Sequence, residues 1–412
     1  MSKLIMSRKI FTVALVLVMS VSLLAACGGG TDASDEPVAR TPAADDGGTV
    51  ADDGSDGQDA APDPSDAGDG LRVVIITSPN SINDGAFNEN CYGGVLAFLE
   101  KHPGATATAV QEEQSDNNRP ILAVEENVAD YDAIITPSSS FAAIARIAED
   151  YPDKYFILLD VFPRDDEGNT VEVDNIYAVQ FKEQDRGFIA GVAAALETKT
   201  GKVATIGGMA SVPPNVNDQF GFEAGVHYAN AHLGAEVELL SIPAYAGTDV
   251  NGNNIGGNYV GSFGDADLGK LLAGALYDAG ADIIFTFAGG SSNGVFAAAL
   301  ERDDVYVIGA GVDQYDLGTA DGKSVVLTSV IKLAGVNVER ALNAISDGTF
   351  EGGNMLLGIE TGSVGYVSAP GRHQLSAATL PVLENVLALI VDGVIVPPHN
   401  FSDSTPTDFP GL

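Results

Sequence analysis

From Leu71 to the C-terminus, short unbroken apolar runs alternate with stretches of helical character, and no other feature restricts the fold as much. LRVVIIT (71–77), YDAIITP (131–137), KYFILLD (154–160), NIYAVQF (175–181), KVATIGG (202–208), VELLSIP (237–243), DIIFTFAG (282–289), VYVIGAGVD (305–313) and VVLTSVIK (325–332) are apolar at consecutive positions. Strands buried on both faces require this pattern. Helices are predicted between them over 87–101, 141–151, 185–199, 218–232, 268–280 and 293–302. Such alternation implies parallel α/β sheets. About 340 residues exceed one such sheet, so two lobes are expected. Lobe 1 is placed over about 71–180 plus part of 313–345, and lobe 2 over about 181–312 plus the C-terminal part. LPVLENVLALIVDGVIVPP (380–398) is read as a helix and a final strand returning to one lobe. Open α/β sheets bind ligands beyond the carboxyl ends of their strands. Ser78, Ser138, Asp160, Gly289 and Asp313 stand at those ends. One such aspartate is commonly a helix cap or turn former; five polar or special ends together point to a hinged cleft.

The first 70 residues have a different character. Lys3, Arg8 and Lys9 precede an apolar run from about Ile10 to Ala26, the layout of a secretory signal peptide over 1–26. The run of about 17 residues is at the short limit for a membrane span, and either reading exports the rest. It ends in Leu24-Ala25-Ala26-Cys27, which resembles the lipobox of bacterial-type lipoproteins. That resemblance implies a mature chain beginning at a lipidated Cys27, anchored on the extracytoplasmic face of the cell membrane. Residues 28–70 hold 12 acids and one base among Gly, Ala, Pro, Ser and Thr. Such a segment buries too little apolar area to offset its ordering entropy, so a disordered acidic tether is expected over 27–70. Cys91 would then be the remaining thiol, read as a small buried hydrophobe. Two cysteines exclude a disulfide scaffold. The formal net charge of −37 argues against a nucleic-acid partner, because phosphate binding needs clustered Lys and Arg. An acidic skin also suits a salt-adapted source, although lineage bias produces the same composition.

Longer strings narrow the family. INDGAFNENCYGG (82–94), YPDKYFILLD (151–160), GFIAGVAAALETKTGKVATIGG (187–208), FGFEAGV (220–226), YVGSFGDADLGKLLAGALYDAGADIIFTFAGG (259–290), VIGAGVDQYD (307–316) and VVLTSVIK (325–332) occur in an order and spacing that resembles the basic membrane protein, or PnrA-like, family of substrate-binding lipoproteins. The resemblance covers essentially all of 71–412. It implies a type I periplasmic-binding-protein fold, two doubly wound α/β lobes closing over one small molecule. It also implies a monomer that delivers a nucleoside, typically a purine nucleoside, to the permease and ATPase subunits of an ABC transporter. Carried over residue by residue, Phe87 and Phe263 match the rings that stack on the base. Asp160 matches a carboxylate facing the ligand, Gly289 the ligand-site glycine after the DIIF strand, and Asp313 and Lys332 the ribose-side pair. Asn88 shares the Phe87 loop. Ser78 stands where many relatives place an acid, which leaves base selectivity open, and Gly85-Ala86 replaces a usual lysine-serine pair.

The chemistry is consistent with a nucleoside. A purine offers two π faces to phenylalanine, and neighbouring ribose hydroxyls suit a carboxylate. An acidic cleft without a P-loop or arginine cluster favours a nucleoside over a nucleotide. Taken without the family, Phe87 is an ordinary core or staple residue, Phe263 a loop aromatic and Lys332 a solvated strand end. The same fold accommodates a sugar, a quorum signal or another metabolite, and a surface lipoprotein with a signalling or adhesion role needs no transporter. An enzyme is disfavoured. Residues 309–314, G-A-G-V-D-Q, lack the third glycine of a dinucleotide fingerprint, and there is no Walker or H-E-x-x-H motif. The five histidines show no metal spacing. DVNGNNIGGNYV (249–260) looks like an insertion and opens as a calcium loop does, but it has Asn254 at its sixth position and Val260 at its twelfth. A surface loop is expected there, and no metal or cofactor.

Overall fold

The computed structural model describes residues 70–85, 87–114 and 118–412. The expected signal peptide, Cys27 and all but the last residue of the tether lie outside them. The chain divides into residues 1–59 and 60–412, and every described residue belongs to the second unit.

The chain enters the first lobe with β1 (Arg72–Thr77), α1 (Phe87–Lys101), β2 (Thr106–Gln111), α2 (Arg119–Asn127), β3 (Ala133–Pro137), α3 (Ala145–Asp150), β4 (Tyr155–Leu159) and β5 (Ile176–Phe181). It then builds the second lobe with α4 (Glu183–Glu197), β6 (Lys202–Gly207), α5 (Pro213–His232), β7 (Glu238–Leu240) and a small hairpin of β8 (Gly247–Thr248) and β9 (Asn254–Gly256). That lobe continues with α6 (Ala266–Asp278), β10 (Ile283–Phe287), α7 (Ser292–Leu300), β11 (Tyr306–Gly311), the hairpin β12 (Thr319–Ala320) and β13 (Lys323–Ser324), and β14 (Val326–Lys332). The chain returns for α8 (Ala334–Ser346) and β15 (Gly353–Leu357), then crosses again to β16 (Val364–Tyr366) and α9 (Thr379–Val391).

Two six-stranded sheets result, ordered β15-β5-β4-β3-β1-β2 and β16-β14-β11-β10-β6-β7. All pairings within them are parallel except that of the edge strand β16. The central strands are apolar on both faces because helices cover both; Val73 to Ile76, Ile134, Ile135, Ile283 to Phe285, Val307 and Ile308 are fully buried. Three crossovers link the lobes, at Phe181 to Glu183, Lys332 to Ala334 and Leu357 to Val364. The return to the first lobe follows Lys332, because β14 completes the second sheet.

Helix α4 is buried from Glu183 to Ala195. It packs on α5 through glycines, and a Cβ on Gly191 would stand 2.1 Å from the Phe222 carbonyl oxygen and one on Gly225 2.2 Å from that of Phe188. Helix α5 begins at Pro213, five residues before the predicted start, with prolines in the first turn where no intrahelical donor is lost. The predicted C-terminal strand does not form. After α9, the Val394 and Ile395 amides turn back onto the Leu389 carbonyl (2.9 and 3.2 Å) and Pro397-Pro398 follow, so the segment lacks continuous donors for a sheet even though Ile395 is buried. The Val396 amide then donates to the Pro410 carbonyl, 2.9 Å. Among the described residues no helix is long and apolar enough to cross a membrane.

Candidate ligand cleft

A cavity of about 640 Å³ lies where the carboxyl ends of both sheets meet. Ser78 and Asp160 reach it from the ends of β1 and β4, and Phe87 and Asn88 from the first turn of α1. From the other lobe come Phe263, on the loop before α6, Gly289, after β10, and Lys332, the last residue of β14. Seven of the eight residues expected to contact a ligand therefore line one cavity, as does Ser138 after β3.

Their local geometry follows from the loops that carry them. Phe263 packs where Gly208 has no side chain; a Cβ there would stand 2.3 Å from the Phe263 ring. Gly289 is left-handed, with φ +55, a conformation glycine adopts without penalty. Asp160 is also left-handed, at φ 67, which a short polar side chain tolerates better than a branched one. The Asn88 amide donates to the carbonyls of Asn80 (3.0 Å) and Ser81 (3.3 Å) and so braces the Phe87 loop. The Ser78 hydroxyl donates to the Gln114 carbonyl, 3.2 Å.

Asp313 is placed elsewhere and does not form the expected pair with Lys332. Strand β11 ends at Gly311, with φ +96, and the turn carries Asp313 outward. Its carboxylate accepts from Arg372 Nε at 2.7 Å and from the Tyr315 amide at 3.0 Å, while Arg372 also forks onto Asp316. Asp313 lines a neighbouring groove against α1 and α8. Gln314 turns back instead; it is buried, lines the cavity and accepts from the Ala310 amide at 3.0 Å.

Five ionised or ionisable groups lie at the lobe junction. Lys332 Nζ donates to both Asp160 oxygens (2.8 and 2.7 Å) and to Glu183 (3.2 Å), and stands 4.2 Å from the centroid of the Phe87 ring. Arg186, which also lines the cavity, forms a two-bond fork with Asp218 at 2.8 and 2.7 Å. Burial alone would depress the Lys332 pKa; Asp160 and Glu183 more than offset it and raise the value. Burial pushes the Glu183 carboxyl up to about 7, with Lys332 opposing and Asp160 reinforcing the shift. Nearby Asp185, at the same crossover, is also pushed up to about 7 by burial against the pull of Lys182.

Sequence reasoning missed Glu183, Arg186, Asp218 and Gln314. A signal existed: EQDRGFIAGVAAALE opens with three charged residues and is otherwise mostly apolar or small, an expensive arrangement in a buried helix unless the charges are paired.

The raised carboxyls set a pH dependence. Both groups keep the proton in the folded state to higher pH than the unfolded chain does, so their stabilisation is complete below the ordinary carboxylate range and is lost as pH rises through about 7. The unfolding midpoint should be higher at pH 5.5 than at pH 8. Asp185→Asn should flatten that difference by about 1–3 kcal/mol, checked by urea unfolding at both values. An equally steep profile in the variant would contradict this.

The sequence also holds a G-x-S-x-G string, Gly290 to Gly294, the spacing of a nucleophile elbow. The Ser292 hydroxyl accepts from the Ala288 amide (3.1 Å) and bonds the Thr286 hydroxyl (2.9 Å), and no histidine lines the cavity. The arrangement closes a strand end. Among the described residues no group of three or more His, Cys, Asp or Glu is placed to hold a metal. In the 249–260 stretch, Asp249 accepts from the amides of Asn251 and Asn253 and from the Asn253 side chain, folding the loop on itself.

A family model described as ABC transporter substrate-binding protein PnrA-like matches residues 71–241 and 249–399. A CD4+ T-cell-stimulating antigen of Listeria monocytogenes is 30% identical over 350 residues, 80% of this chain and 88% of the relative. The ABC transporter nucleoside-binding protein BmpA of Lactococcus lactis is 30% identical over 304 residues, 69% of this chain and 78% of the relative. Basic membrane protein A of Borreliella burgdorferi is 28% identical over 345 residues, 81% of this chain and 89% of the relative. Among solved structures, an ABC transporter solute-binding protein from Aeropyrum pernix K1 superposes with a TM-score of 0.65 at 21% identity, covering 80% of this chain and 94% of that one. A second, from Conexibacter woesei, gives 0.60 at 20% identity, covering 81% and 100%.

Proposed function

The chain belongs to the PnrA-like family of ABC transporter substrate-binding proteins, and we propose that it captures a purine nucleoside in the cleft between its lobes and hands it to a permease. One observation carries the choice of ligand: Phe87 and Phe263, from opposite lobes, line the same cavity as the Lys332–Asp160 pair. Flat aromatic faces suit a base and a hydrogen-bonded carboxylate suits ribose hydroxyls. The relative named as a nucleoside-binding protein supports this reading.

Charge supports a neutral ligand. Three carboxyls, Asp160, Glu183 and Asp218, surround two cations, Lys332 and Arg186, which are already paired. A phosphate would meet excess negative charge. Ligand bridging both lobes would shift the population toward a closed form, which the permease recognises. Lipidation at Cys27 would hold the protein on the extracytoplasmic face of the membrane, and Asp313 would reach the ligand only after leaving Arg372.

Phe263→Ala tests the stacking. It should weaken inosine binding by about 10- to 100-fold, the range for loss of one ring from a base stack, and leave any ribose affinity unchanged, measured by calorimetric titration. Unchanged inosine affinity would overturn the stacking assignment.

A further inference from the structure

We propose that Arg186 is a specificity-determining residue whose unused guanidinium nitrogen, Nη1, donates to a neutral oxygen acceptor of the bound ligand. The argument deepens the nucleoside reading and rests on it. Arg186 is 5% exposed and forms part of the cavity wall. Its Nε and Nη2 are committed to Asp218 at 2.8 and 2.7 Å, whereas among the described residues no group accepts from Nη1, which is buried. A buried donor on a cation is costly to leave unsatisfied. A rigid planar fork fixed on two of its nitrogens presents the third in a defined direction at little entropic cost. Asp218 acts as the positioning residue: it is 1% exposed, sits on α5 and fixes the fork on α4.

The charge environment decides the class of acceptor. Asp218 already matches the Arg186 charge, and Asp160 and Glu183 face the same junction. An anionic group on the ligand would be repelled, so the partner is a carbonyl or hydroxyl oxygen. In a nucleoside this is either the base carbonyl or a ribose hydroxyl. A site built to bond such an oxygen discriminates strongly against the analogue that lacks it, because the donor is then left unpaired.

The test compares the full-length protein with Arg186→Lys, which keeps the charge opposite Asp218 but lacks the second terminal nitrogen. Both are titrated with inosine, purine riboside (no base carbonyl), and the 2′-, 3′- and 5′-deoxyinosines. Arg186→Lys should bind inosine about 10- to 100-fold more weakly. One analogue, the one lacking the acceptor, should bind both proteins equally and so identify the atom. If Arg186→Lys does not fold, Arg186→Met/Asp218→Leu removes the pair without stranding a charge and should show the same loss of discrimination. Inosine binding unchanged in the variant, or every analogue weakened by the same factor as inosine, would overturn the assignment while leaving the nucleoside reading standing. No nucleoside binding by the wild-type protein would overturn both.

Discussion

Lys332→Met should cost about 3–5 kcal/mol of folding stability, the usual penalty for removing one partner of a buried ion pair. Lys332 is 5% exposed and is the shared partner of Asp160 and Glu183. Without it, both carboxyls lose their nearest cation, and Glu183, already raised by burial, should stay protonated to higher pH still. The loss should therefore be smaller at pH 5.5 than at pH 8, where an unpaired carboxylate must be either buried or neutralised. Urea unfolding at the two values, followed by circular dichroism, reads both the size and the sign. A loss under about 1 kcal/mol at pH 8, the range of a surface ion pair, would show that the junction is solvated and the pairing weak.

The second large effect lies away from the cleft. Gly225→Ala should destabilise the protein by about 1–3 kcal/mol or more through overpacking, because the new Cβ would stand 2.2 Å from the Phe188 carbonyl oxygen and 3.0 Å from the Val192 amide nitrogen. Both are backbone atoms of α4, so no rotamer change relieves the clash. Gly274→Ala is the matched control. It sits in α6, and its nearest neighbour is the end of the Arg302 side chain at 3.4 Å. There, helix propensity should prevail and the change should be neutral or stabilising by up to about 1 kcal/mol. Thermal unfolding of the two variants tests the contrast; equal midpoints would mean that the α4–α5 seam has slack.

The contrast between these helices also shows what the sequence made legible. Fold class was readable because strands buried on both faces leave continuous apolar runs, as in Arg72–Thr77 and Ile283–Phe287. Strand β2, TATAVQ, escaped notice because it is an edge strand with half-exposed, small residues. Strand β15 did so as the opposite edge, with Met355 and Leu356 exposed. The C-terminal VIV looked like a strand from composition alone, and nothing local says that the Val394 and Ile395 amides turn back onto Leu389 instead of joining a sheet. Residues at strand ends were legible as cavity residues since topology sends those ends to the cleft. Asp313 was not, since its direction depends on the turn at Gly311 and on Arg372, 59 residues away in sequence. Arg186 and Asp218 were missed for the same reason: a pair separated by 32 residues across two helices leaves no spacing signature.

The central claim, capture of a neutral purine nucleoside between two lobes, is tested most directly by calorimetric titration of the full-length protein with inosine, inosine monophosphate and ribose. Saturable 1:1 binding of inosine is expected, with the monophosphate weaker by at least about tenfold because its charge meets the excess of carboxyls, and with ribose weaker still for want of a base to stack. Ribose binding as tightly as inosine, or the monophosphate binding more tightly, would contradict the account.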